Sequence, residues 1–267
     1  MTLLFAPLFS GSSGNCTYVG TEDEGVIVDC GVSAMAALEQ LKAAKIDPAA
    51  VKAVLVTHEH TDHVSGVGVL SRRLGGVPIY ATRGTWDGSG KRLGKLAPEQ
   101  IRYIDNDSDF FIGDLNITAF STPHDCLDSC GFVFEKGGVK AAVATDMGYI
   151  NKTWLEAVGG SDLVLLEADY DTDMLMAGSY PYDLKRRILG RKGHLSNEDA
   201  GSAAAHLIKS GAREIILGHL SKNNNFPELA LKTCENMLLD EGIRPGRDME
   251  LHVAARSALT GVFKIEL

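Results

Sequence analysis

Val56-Thr57-His58-Glu59-His60-Thr61-Asp62-His63-Val64 places three histidines and an aspartate within six residues, directly after the apolar run Ala53-Val54-Leu55-Val56. The run reads as a strand over Ala53–Thr57, so the HxHxDH pattern falls on its C-terminal exit. Side chains alternate along an extended exit, so His58 and His60 point to one side and both can ligate one ion. If a helix starts near Thr61, Asp62 and His63 lie on its first turn and can reach a second ion beside the first. A carboxylate such as Asp146 could bridge the two. Paired ions about 3.5–4 Å apart stabilise both the attacking and the leaving oxygen of a hydrolysis.

Other chemistry-bearing residues sit at the same kind of place. His124 follows a predicted strand Leu115–Ser121, Asp146 follows Lys140–Thr145 and His219 follows Glu214–Gly218. Strand ends are where layered α/β folds put their chemistry. One isolated histidine would read as an ordinary core or surface residue, and His206 and His252, inside a predicted helix and strand, are read that way. The crowded set is not.

The remaining pattern is short β-type runs alternating with helical ones. Further strands are expected at Leu3–Phe9, Cys16–Val19, Gly25–Asp29, Ile79–Ala81, Ile101–Ile104, Gly131–Glu135, Leu163–Glu167, Glu250–Ala254 and Val262–Ile265. Helices are expected at Ser33–Lys45, His63–Leu74, Lys152–Val158, Pro181–Leu189, Ser196–Ser210 and Pro227–Glu241, with Ser33 and Ser196 as N-caps. Residues 84–98 are the loosest stretch and are expected as a surface excursion. No break in composition divides the 267 residues, which predicts one layered α/β domain over 1–267.

At 45% hydrophobic the chain can bury a full core, and its net charge of −9 argues against coating nucleic acid by bulk charge. A local basic patch is still open to it. The apolar N-terminus MTLLFAPLFSGSSGN is too short to span a membrane and lacks a basic leader, so it reads as an opening strand. The five cysteines, 16, 30, 126, 130 and 234, are odd in number, which fits reduced thiols in a cytoplasm. The expectation is a cytoplasmic protein without a membrane partner.

The motif Thr57-His58-Glu59-His60-Thr61-Asp62-His63 resembles the signature of the metallo-β-lactamase superfamily. His124 in STPHD, Asp146 in ATDMG and His219 in LGHLS follow in the order that superfamily shows. The resemblance covers essentially the whole chain. It implies an αββα sandwich, two mixed β-sheets flanked by helices, with the metal site at one edge. It also implies two divalent ions, Zn or Mn. His58, His60 and His124 would hold one, Asp62, His63 and His219 the other, and Asp146 would bridge them. Donors that are all imidazole and carboxylate suit either metal.

Within the superfamily the chain resembles the YycJ/WalJ branch, described as bacterial 5′-to-3′ exodeoxyribonucleases. The stretches that carry this are Phe9-Ser-Gly-Ser-Ser-Gly-Asn15, Val26-Ile-Val-Asp29, Leu165-Leu-Glu-Ala-Asp-Tyr-Asp171 and Tyr180-Pro-Tyr-Asp-Leu-Lys-Arg-Arg-Ile188, leading to Gly193-His-Leu-Ser-Asn-Glu-Asp-Ala200. Ala168 departs from the polar residue expected there. The implied reaction is phosphodiester hydrolysis by a metal-bound hydroxide attacking phosphorus, on single-stranded or nicked DNA. Asp62 would orient that hydroxide, and His194 would donate to the scissile phosphate or the leaving oxygen. Glu167 would orient His194, as in a similar Glu–His pair of tRNA-maturing relatives.

The residues themselves also point to phosphate. Lys185, Arg186, Arg187, Arg191 and Lys192 put five cations into eight residues just before His194, a local run that can hold a phosphate backbone. Ser12, Ser13 and Asn15, in a glycine-rich turn, can cradle an anion with backbone N–H groups, although a plain turn explains them equally well. Trp86 can stack a base or pack in the core. The alternatives are a tRNA-processing endonuclease, a cyclic phosphodiesterase, a thioester or lactone hydrolase and, in another class, a metal-bearing regulatory protein without turnover.

Overall fold

A computed structural model describes residues 2–266. The strands are β1 (Leu3–Phe9), β2 (Cys16–Gly20), β3 (Gly25–Val28), β4 (Val51–Leu55), β5 (Ile79–Thr82), β6 (Ile101–Ile104), β7 (Ser108–Ile112), β8 (Leu115–Ser121), β9 (Cys130–Lys136), β10 (Val139–Ala144), β11 (Leu163–Glu167), β12 (Glu214–Gly218), β13 (Glu250–Val253) and β14 (Phe263–Ile265). The helices are α1 (Ala34–Ala43), α2 (Thr61–Val64), α3 (Val67–Arg73), α4 (Arg83–Ser89), α5 (Lys152–Val158), α6 (Thr172–Ala177), α7 (Tyr182–Ile188), α8 (Asn197–Lys209) and α9 (Pro227–Asp240). As expected, the architecture is two mixed β-sheets flanked by helices, each sheet of seven strands.

The chain folds as two compact units. The first holds the residues up to Ser121, Cys126–Val139 and the stretch from Ala255 onward, and the second holds Thr122–Asp125 and Lys140–Ala254. The first unit contains one whole sheet, in the order β14-β1-β2-β3-β4-β5-β6. Its β1, β2, β3 and β14 pair antiparallel, and β3 through β6 run parallel. Leu8, Tyr18, Ile27, Leu41, Val54 and Leu70 pack in its core, which joins the sheet to α1 and α3. The same unit carries the antiparallel ribbon β7-β8-β9. In the second unit β10, β11, β12 and β13 form a parallel run, and β10 and β11 read as near-continuous apolar segments because both of their faces are covered.

Local chemistry explains most boundaries. Ser33 and Ser196 cap α1 and α8 by accepting from Ala36 N–H and Asp199 N–H. Two expectations are corrected, and strand β7 is one the sequence reading did not contain. The helix expected over His63–Leu74 is two helices, α2 and α3, because Gly66 sits at the break with its N–H on the Cys30 carbonyl. The stretch 84–98 is ordered as α4 and a 3₁₀ turn Gly90–Leu93, because Arg72 donates to the carbonyls of Leu93 and Lys95. Strand β7 lies in an aspartate-rich run whose composition hides it, and its inward alternation is satisfied only by pairing with β8.

Candidate metal centre

In the first unit β3 and β4 are parallel, with Val28 beside Leu55. The residues that leave their C-terminal ends, Asp29 and Val56–His58, are therefore neighbours. Asp29 is 2% exposed. Its carboxylate accepts from Thr57 N–H at 2.9 Å and from the Thr57 hydroxyl at 2.8 Å, and His63 Nδ1 lies 2.8 Å away. The Thr57 hydroxyl oxygen is 3.0 Å from His58 Nδ1. A carboxylate facing His63 Nδ1 fixes the proton there and leaves Nε2 as the ligating nitrogen. His58 Nε2 and His60 Nδ1 converge to 3.0 Å. His60 immediately precedes α2, whose first turn carries Asp62 and His63, with Asp62 Oδ2 3.6 Å from His63 Nε2. The sequence expectation for this segment, two histidines on one side and a helix from Thr61, matches that local geometry.

In the second unit the register aligns Ala144 with Leu166 and Glu167 with Gly218. Asp146, Glu167 and His219 therefore line the C-terminal edge of three adjacent parallel strands. His124 Nδ1 lies 3.0 Å from the Gly193 carbonyl, which leaves its Nε2 3.7 Å from Asp146 Oδ1. His219 Nε2 lies 3.5 Å from the same oxygen. Glu167 is fully buried. It accepts from Met147 N–H and Leu195 N–H, and its Oε1 lies 2.7 Å from His194 Nδ1 and 3.3 Å from His219 Nδ1. Burial drives His194 toward the neutral form, but Asp169, Glu167 and Asp146 outweigh it and lift its pKa to about 9. Burial likewise pushes the Glu167 carboxyl up, and the facing His194 and His219 bring it below its ordinary value. One ligand atom each from Asp146, Glu167, His194 and His219 lies within 4.8 Å of all the others.

Backbone strain marks the same residues. Asp29, Asp146 and His219 adopt left-handed φ of 59°, 60° and 60°, as do only Lys45 and Asp107 besides them among the described non-glycine residues. Such conformations persist where surrounding structure over-determines them, typically at functional sites.

The donor set of each unit fits divalent cations. The converging atoms are imidazole nitrogens and carboxylate oxygens held at the ends of parallel strands, and no thiolate is among them. Cys130 is buried, its thiol pushed up by burial, and lies against the carbonyls of Val56 and Thr57. Sequence reasoning gave no role to Asp29, Thr57 or Asp169, whose Oδ2 is 3.6 Å from His219 Nδ1. Asp29 closes the Val26–Asp29 stretch, but its partners are 28 and 34 residues away and only strand pairing reveals them. Exchanging Asp29 for Asn removes the charge that fixes the His63 tautomer. Metal affinity of Asp29→Asn is expected to fall by roughly 10–100-fold, read by chelator-dye competition. Unchanged affinity would show Asp29 to be a packing residue only.

The expected phosphate-binding residues are placed as follows. Lys185 donates to the Met176 and Gly178 carbonyls, both at 2.7 Å. Arg187 makes a two-point contact with Asp125, the neighbour of His124. Arg186 stands 6.0 Å from the centroid of the 70% exposed Tyr182 ring, and Arg191 stands 4.1 Å from that of Tyr149. Ser12 and Ser13 are exposed, while Asn15 is buried, with Oδ1 accepting from Gly11 N–H and Nδ2 3.1 Å from His63 Nε2. Ala168 is fully buried, so an apolar residue suits its position.

Residues 25–220 match the model of the β-lactamase superfamily domain. The chain is 36% identical to the exodeoxyribonuclease YycJ of Bacillus anthracis over 253 residues, covering 94% of this chain and 95% of that one. It is 35% identical to the exodeoxyribonuclease WalJ of Streptococcus pneumoniae over 263 residues, 98% of this chain and 97% of the other. Among solved structures, the metallo-β-lactamase fold protein YhfI from Bacillus subtilis superposes with a TM-score of 0.74 at 18% identity, over 99% of this chain and all of its own.

Proposed function

Because the chain belongs to the β-lactamase superfamily and is a hydrolytic enzyme, we propose that it is a binuclear metal-dependent phosphodiesterase acting on DNA from the 5′ end. The observation that carries this is the edge of the second unit's parallel strands. There the Nε2 atoms of His124 and His219 converge on one oxygen of Asp146, beside His194, whose ring faces buried Glu167. A hydrolase of phosphodiesters needs such a cation-binding set next to a positioned proton donor. The exodeoxyribonuclease names of the two relatives support DNA as the substrate.

His58, His60 and His124 would hold one ion, Asp62, His63 and His219 the other, and Asp146 would serve both, with the chain acting as one domain. Zn or Mn suits this donor set. Bound there, such ions supply Lewis-acid charge for the phosphate and acidify water. Asp62 orients the attacking water and takes its proton. His194, its Nδ1 held by Glu167, presents Nε2–H to the scissile phosphate or the leaving oxygen. Arg186, Arg191, Ser12 and Ser13 meet flanking phosphates, while Lys185 and Asn15 shape the backbone that carries them and Arg187 holds the Asp125 carboxylate beside His124. The substrate is single-stranded or nicked DNA, met in the cytoplasm, where the free cysteines stay reduced. Among the described residues no helix is long and apolar enough to cross a membrane.

The test is a time course on single-stranded DNA with a 5′-phosphate and a 3′-label, using protein loaded with Mn or Zn. A descending ladder of labelled products is expected, and Asp62→Ala is expected to lose roughly 10²–10⁴ in rate. Absence of cleavage with two ions confirmed bound would sink the DNA reading.

A further inference from the structure

The stretch from Arg83 to Tyr103 contains five cations, Arg83, Lys91, Arg92, Lys95 and Arg102, against two acids, Asp87 and Glu99, in a chain of net charge −9. All five cations are exposed. Some exposed cations elsewhere pair with carboxylates, as Lys152 with Glu156, Lys209 with Glu241 and Lys232 with Glu235, and others, such as Lys45, Lys52 and Lys222, stand singly on the surface. Among the described residues, no carboxylate lies within 4.0 Å of any of these five. Their charge therefore goes uncompensated over α4, the following 3₁₀ turn and the edge strand β6.

Aromatic rings stand in the same place. Tyr103, on the edge strand, is 58% exposed, with the Arg83 guanidinium 5.0 Å from its ring centroid. Trp86 lies 6.2 Å from Tyr103 and donates its indole N–H to the Arg102 carbonyl at 3.0 Å. Trp86 is partly buried against the core, so it braces the platform and Tyr103 presents the open ring. The segment is fixed to the HxHxDH loop. Arg92 donates to the carbonyl of Glu59, the residue between His58 and His60, and a Cβ on Gly88 would stand 2.6 Å from the Glu59 side chain.

An exposed ring with an arginine over it, on a segment that carries four further cations without a carboxylate partner, suits one ligand chemistry. A base stacks on the aromatic and guanidinium faces, and the flanking phosphates meet the lysines and arginines. A duplex offers its bases no such access. We propose that the α4–β6 surface binds single-stranded DNA and leads it to the HxHxDH loop, with Arg83 and Tyr103 stacking a base and Lys91, Arg92, Lys95 and Arg102 holding phosphates. This rests on the nuclease reading and adds to it a strand-binding surface outside the metal ligands.

The experiment is binding of a 3′-fluorescein oligothymidylate, followed by anisotropy across a salt series. A chelator is present so that the strand is not cut, and cleavage is assayed separately with metal. The full chain is compared with Tyr103→Ala, with Lys91→Glu/Lys95→Glu, and with the charge-matched control Lys209→Glu/Lys232→Glu, all checked for the wild-type thermal midpoint. Tyr103→Ala is expected to weaken binding roughly ten-fold with an unchanged salt slope. Lys91→Glu/Lys95→Glu is expected to flatten the slope by about 0.7 for each phosphate the variant no longer neutralises, and the control is expected to bind like wild type. Wild-type protein that binds no strand, or patch variants that bind as wild type does, would overturn the proposal. A duplex bound as tightly as the single strand, and indifferent to Tyr103→Ala, would overturn the stacking role. Binding that the patch variants weaken, in a protein that cuts no DNA, would keep this surface and overturn the nuclease reading instead.

Discussion

Glu167→Ala is expected to lose about 3–5 kcal/mol of stability, and with it nearly all activity, because removing one partner of a buried ion pair leaves the other charge uncompensated. Glu167 is fully buried and faces His194 at 2.7 Å, and its other oxygen accepts from Met147 N–H and Leu195 N–H. Orphaning two buried N–H donors adds to the loss. Glu167→Gln separates the two roles of the side chain. An amide oxygen can still accept from the backbone, so this variant is expected to fold. Its NH2 or carbonyl oxygen no longer supplies the negative charge that, with Asp169 and Asp146, lifts the His194 pKa to about 9. Single-turnover rates are then expected to fall by roughly 10²–10⁴, while the thermal midpoint falls less than in Glu167→Ala because the two backbone donors stay paired. If Glu167→Gln kept the wild-type rate while His194→Ala lost it, Glu167 would be a structural residue and not a positioning one.

Gly31→Ala is the second expected large effect, and it touches no proposed ligand side chain. A Cβ on Gly31 would stand 1.6 Å from the Asp62 carbonyl oxygen and 2.0 Å from its carbonyl carbon. The obstacle is backbone, so no rotamer relieves it. Backbone hydrogen bonds pin the two segments together: Gly31 N–H donates to Asn15 O, Asn15 N–H to Asp62 O, and Cys30 N–H to His63 O, each at 2.9 Å. One methyl therefore has to push α2's first turn, with Asp62 and His63, away from Asp29. The expected cost is about 3 kcal/mol or more, at the upper end for overpacking, together with weakened metal binding. Thermal melts with and without added Zn would measure both. A variant with wild-type stability and metal affinity would show that this approach of backbone to backbone is looser than the structure has it.

The chain-local features were open to reading from residue order. The HxHxDH spacing places His58 and His60 on one side of a strand exit and Asp62 and His63 on a first helical turn, because strand alternation and helical pitch are short-range geometry. Strand-end placement of His124, Asp146 and His219 followed from apolar runs that stop where the polar residues begin. Helices with a serine cap and a clear apolar stripe, such as α1 and α8, were visible for the same reason. The ordered α4 segment was not, since Arg83–Ser89 holds two glycines and no periodic apolar stripe. Thr82 caps it, and hydrogen bonds from Arg72 hold the turn that follows.

By itself the sequence determined which side chains can carry the chemistry and on what kind of element each lies, because spacing along the chain controls both. Only the tertiary structure decided how those side chains are held. The alignment of β3 with β4 makes Asp29 the anchor of Thr57 and His63. The alignment of β10, β11 and β12 sets Asp146, Glu167 and His219 side by side. The packing of one backbone on another makes Gly31 irreplaceable. Strand register is settled by burial and hydrogen bonding across many residues at once, so partners 20 to 73 residues apart in the chain, such as Met147 with Glu167 or Asp146 with His219, leave no local trace in its order.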